Sequence, residues 1–174
     1  MARALLLALT LTAAVYDWRF RVVPNWLVAA GLVAGFAWNI TQNGVTGPLM
    51  ALAGAGLALL VYLPLVALRA MGAGDAKLMA AIGALTGPLA WWGIFVYTIL
   101  IGAAAALAAI IATGRMRKTL RNLGTITASL LRLRRPWAVN PEIDVRSERA
   151  LRLPHAVTIA AATIAYLIFG PLRY

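Results

Sequence analysis

Two carboxylates in this chain could do chemistry. Asp75 lies in Met71-Gly72-Ala73-Gly74-Asp75-Ala76-Lys77, a glycine-rich turn that opens an apolar stretch. Asp17 closes the first apolar run, in Tyr16-Asp17-Trp18-Arg19. The other three acids, Glu142, Asp144 and Glu148, belong to a basic region away from any such run. An ionised side chain at bilayer depth costs at least about 2.5 kcal/mol unless it is paired or hydrated, so acids kept there are functional candidates. Two carboxylates a few ångströms apart cannot both ionise cheaply, and such a pair shares one proton. The ionised member can take a proton from water. The protonated member can hydrogen-bond a peptide carbonyl and later protonate the leaving amine. This is aspartic peptide hydrolysis, which needs no metal, thiol or other cofactor. The chain has no cysteine, which excludes disulfides, Cys-based zinc sites and thiol catalysis.

Each acid also has an ordinary explanation. An Asp at a helix start is commonly an N-cap, and Asp17 could pair with Arg19 or Arg21. What favours function is that both lie at one depth in a bundle otherwise empty of acids.

The elements that must position them are membrane helices. The chain has 174 residues and is 63% hydrophobic, with a mean hydropathy of +0.84. Ordinary soluble domains are about 45–50% apolar, so an all-α polytopic bundle in a single domain is expected. Six spans are read at about 2–18, 24–41, 49–69, 75–87, 90–113 and 154–170, with a basic loop at 114–152. Arg3, the apolar run and Thr12-Ala13-Ala14 also have the layout of a secretory signal, but the run is read as span one. Thr41 to Pro48 reads as an uncharged turn, and Gly87-Pro88 as the end or bend of span four. Met116, Leu120, Leu123, Ile126, Leu130 and Leu131 recur at helical spacing among Arg115, Arg117, Lys118 and Arg121, which suits a helix lying in the membrane surface.

The net charge is +11. In a soluble protein that would suggest nucleic acid; here the clustering of cations in loops points to anionic lipid instead, with no nucleic-acid partner. Six spans with the N-terminus outside place fourteen of the sixteen basic residues in the cytoplasm, as the positive-inside rule requires. Asp17 and Asp75 then both face the cytoplasm. Trp91 and Trp92 are expected at the outer interface, and Trp18 and Trp26 at the inner one.

Several residues around the pair are motif-supporting or substrate-binding candidates. Gly72 and Gly74 are expected to adopt positive φ and to leave room for a substrate backbone. Pro24 suits the first turn of a helix. Asn25 is left open between orienting the connector and binding an extended substrate. Arg21 could tune Asp17. Lys77 lies about 200° around the helix from Asp75 and is expected to snorkel to lipid phosphate. His155 reads as an interfacial side chain. Glu142, Asp144 and Glu148 are expected to attract a basic substrate segment.

Gly72-Ala73-Gly74-Asp75 matches the GxGD motif of intramembrane aspartyl proteases. With Ala76-Lys77-Leu78, and with Asp17 followed by Arg21 and Val23-Pro24-Asn25, the chain resembles the type IV prepilin peptidases from span one to Pro154. The resemblance implies an enzyme with Asp17 and Asp75 as catalytic residues. It would cut the short basic leader from pilin-like precursors, after a glycine, at the cytoplasmic membrane face. Without the paired cysteines of the larger bifunctional enzymes, the chain is expected to lack N-methyltransferase activity and to resemble the short peptidase-only forms that serve tight-adherence (Flp-type) pili. The alternatives are an archaeal-type preflagellin peptidase or, from another class, a small proton- or cation-coupled transporter or a non-catalytic secretion assembly factor.

Overall fold

The computed structural model describes residues 1–132 and 154–170. Among the described residues the regular structure is helical, with no strand. α1 spans Ala2–Phe20, α2 Asn25–Asn43, α3 Gly47–Ala67, α4 Ala73–Ala112, α5 Met116–Leu131 and α6 His155–Phe169. Two stretches, Asn25–Ala67 and Ala73–Ala112, are long and apolar enough to cross a membrane. Glu142, Asp144 and Glu148, with most of the basic loop, lie outside the described residues.

The helices follow the apolar runs, with local differences. The expected turn from Thr41 is still helix: α2 runs on through Asn43 and stops at Gly44, whose φ of 54° leaves the helical region. A short 3-10 turn, Gly44–Thr46, then leads into α3. The fourth and fifth apolar runs form one helical stretch interrupted at Gly87, where φ is 72° and ψ 174°. Pro88 follows, and its missing N–H and ring prevent the helix from continuing unbroken.

The interruption reverses the chain. Trp91 Nε1 donates to the Met79 carbonyl at 3.1 Å. In an unbroken helix residues twelve apart are separated by about 18 Å, so the two halves of α4 lie side by side. Trp91 is therefore not an interfacial anchor, as its position in the sequence suggests. It is fully buried, stacked on Phe95 with centroids 5.2 Å apart. Trp18 and Trp26, by contrast, are exposed.

Breaking a helix frees the carbonyls of its last turn. In an apolar bundle these need partners. Asn39, buried in α2, supplies them: its Nδ2 donates to the Ala84 carbonyl at 2.8 Å, and lies 3.5 Å from that of Leu85. Asn39→Leu should lower stability by about 1–3 kcal/mol, because it leaves these acceptors unpaired. Thermal unfolding in detergent measures the loss, and an unchanged midpoint would contradict this role. The first half of α4 is also closely approached from both sides. A Cβ on Gly54 of α3 would strike the Gly83 carbonyl, and one on Gly35 of α2 would come within 2.7 Å of Ala84 backbone. Small residues thus set α2 and α3 directly against the segment that begins at Asp75.

Candidate active site

One end of the bundle is built from the last turn of α1, the connector to α2 and the first turn of α4. α1 ends at Arg21, whose φ of 56° is left-handed, and whose N–H donates to the Asp17 carbonyl at 2.9 Å. The chain then turns through Val22 and Val23 to Pro24, which with φ −66° and ψ 138° is the N-cap of α2. Val23 is buried. A Cβ on Gly74 would lie 3.3 Å from the Val23 Cβ. Asn25 Oδ1 accepts a hydrogen bond from Lys77 Nζ at 3.0 Å. This bond joins the connector to the first turns of α4.

The glycines act differently from the sequence expectation. Gly72 has φ −75° and ψ 144°, and Gly74 is not among the positive-φ residues. Neither needs left-handed freedom. Gly74 is small so that Val23 can sit against the turn. Gly72 is small beside a carboxylate, since a Cβ there would lie 3.3 Å from Asp75 Oδ2.

Nor is Asp75 an N-cap. The cap is Gly72, and Asp75 is the third residue of α4. Its carboxylate accepts the Gly72 N–H, the return bond of a capping box, which holds the side chain over the helix N-terminus.

Asp17 is buried in α1. Its Oδ2 accepts the backbone N–H of Ala156 at 3.0 Å. Ala156 is the second residue of α6, so Asp17 docks the N-terminus of a helix more than a hundred residues further along the chain. Asp17 is close enough for its charge to act on Asp75. It acts on His155 as well. The Tyr62 hydroxyl from α3 lies in the field of Asp75. Tyr62 is held edge-on against Trp91 and Phe95, with centroids at 6.4 and 5.8 Å. The two acids, a tyrosine and the only histidine therefore gather at one end from four helices.

The family model of the type IV leader peptidases matches residues 4–107. The chain belongs to this family. It is thus a peptidase of the leader-peptidase type, a membrane protein by its family and its apolar stretches, and its substrate is of the prepilin type. The match takes in Asp17, the Val23-Pro24-Asn25 connector and the turn from Gly72 to Lys77, and it ends before α5 and α6. No curated protein and no solved structure matches the chain.

Three features of this end of the bundle are hidden in the sequence. Tyr62 sits in an apolar run and reads there as an ordinary span residue. The Ala156 amide has no side-chain signal at all. His155 was visible only as a residue following Pro154, and its position suggested the interface. In the structure its Nε2 is buried.

Proposed function

We propose that this leader peptidase is an aspartic endopeptidase that removes the short basic leader from type IV pilin-like precursors, with Asp17 and Asp75 activating water. The observation that carries the reading is that α1 and α4, far apart in sequence, bring the two acids of the bundle to one end, within reach of each other's charge. Each carboxylate is oriented by a backbone N–H, Asp75 by Gly72 and Asp17 by Ala156. With one proton shared by the pair, the ionised member takes a proton from water as the water oxygen bonds to the scissile carbonyl carbon. The protonated member donates to the leaving nitrogen as the C–N bond breaks. The pair again holds one proton at the end.

The chain would cross the membrane six times, with the acids at the cytoplasmic face and the basic residues of α5 on anionic lipid. Met116, Leu120 and Leu123 of α5 are exposed, as a helix lying in the surface would leave them. Methyl transfer is not part of this activity. A proton-coupled transporter is the weaker reading, because the buried hydroxyls of Thr10, Thr98 and Thr163 each donate to the carbonyl four residues back. They form no relay between the ends.

The test is cleavage of a synthetic precursor, with a basic leader, a glycine and an apolar helix, by the purified protein in detergent. Mass spectrometry should show a leader ending in that glycine and a mature chain beginning at the next residue. Intact precursor, or a cut elsewhere, would overturn the assignment.

A further inference from the structure

His155 opens α6, one residue before the amide that Asp17 accepts. Its Nε2 is buried and has no hydrogen-bond partner among the described residues. Native structures satisfy nearly all buried polar atoms, so an orphan nitrogen calls for a physical explanation. The surroundings supply one. Ala156 and Ile159 on the same helix are fully buried and apolar, and the charge of Asp17, which accepts the next residue's amide, acts on the imidazole. Asp17 uses Oδ2 for Ala156, and a carboxylate has further acceptor capacity. A buried water is stable where it finds two to four polar partners. The His155 ring nitrogen and the carboxylates of Asp17 and Asp75 are groups of that kind.

We propose that His155 is a positioning residue whose Nε2 hydrogen-bonds the water that Asp17 and Asp75 activate. The inference rests on the aspartic reading above. Its own residue lies beyond the stretch matched by the family. The imidazole holds the water oxygen so that its proton points to the ionised carboxylate while the oxygen bonds to the scissile carbon. The proton for the leaving amine still comes from the other carboxyl. His155 neither gains nor loses a proton. Asp17 then does two things at once: docking α6 through Ala156 brings the imidazole to the water.

His155→Leu and His155→Gln in the full-length protein test this, with kcat, KM and the unfolding midpoint measured on the synthetic precursor. A lost water anchor should lower kcat about thirtyfold or more in His155→Leu, with KM within about twofold. His155→Gln, whose amide can reach the same water, should recover to within about fivefold of the parent kcat. An unchanged kcat in His155→Leu overturns the proposal. So does a rise in KM at constant kcat, which would put the imidazole on the precursor instead. So does a His155→Gln variant as slow as His155→Leu, which would reduce the residue to packing. If His155→Leu does not fold, the kcat and KM of His155→Gln decide, because a water anchor changes only kcat. Cleavage that survives Asp17→Asn or Asp75→Asn would instead defeat the aspartic reading, whatever His155 does.

Discussion

Asp75→Asn should abolish precursor cleavage, lowering kcat by about a thousandfold or more, while the protein unfolds at an unchanged temperature. Asparagine has nearly the same size as aspartate, and its amide oxygen can accept the Gly72 N–H that orients Asp75. The capping bond at the start of α4 is therefore retained. What is lost is the proton chemistry, since an amide neither takes a proton from water nor supplies one to an amine. Steady-state cleavage beside thermal unfolding in detergent separates the two effects. A variant that still cuts at a tenth of the parent rate would mean that Asp75 is only a helix-capping residue.

Asp17 should show a divided result. Asp17→Asn removes activity to a similar extent but keeps an oxygen for the Ala156 N–H. Asp17→Ala removes activity and also undocks α6. It should therefore be less stable than Asp17→Asn by about 0.5–2 kcal/mol, the usual worth of a side-chain acceptor at a helix N-terminus. The difference arises because Asp17 is buried and its carboxylate satisfies an amide that has no partner within its own helix. Equal stabilities of the two variants would show that the Asp17–Ala156 bond contributes nothing to docking α6. An Asp17→Asn enzyme that retains activity would remove Asp17 from the chemistry.

The helices were legible because apolar runs of this length leave the backbone little alternative in lipid. The break at Gly87 was legible too, from Pro88. The direction of the chain after the break was less so, because Gly87-Pro88 fits both a bend and a reversal. The hydrogen bond from Trp91 to Met79 decides between them. At the site, Asp17 and Asp75 stood out because acids are scarce here. The supporting residues did not, since their roles depend on close approaches between helices that spacing along one helix cannot reveal. Gly74 is small because Val23 packs there, and Lys77 is polar because Asn25 does. Tyr62 belongs with these: only the folding of α3 against both halves of α4 puts its hydroxyl in the field of Asp75.

The most direct measurement is kcat/KM for the parent, Asp17→Asn, Asp75→Asn and the double variant on one precursor. Groups that act as a single proton-sharing unit lose nearly everything when either is removed, and the second substitution then costs little. The double variant should be about as slow as either single one. Losses that multiply, or a single variant that still cleaves well, would show that Asp17 and Asp75 do not work as a pair.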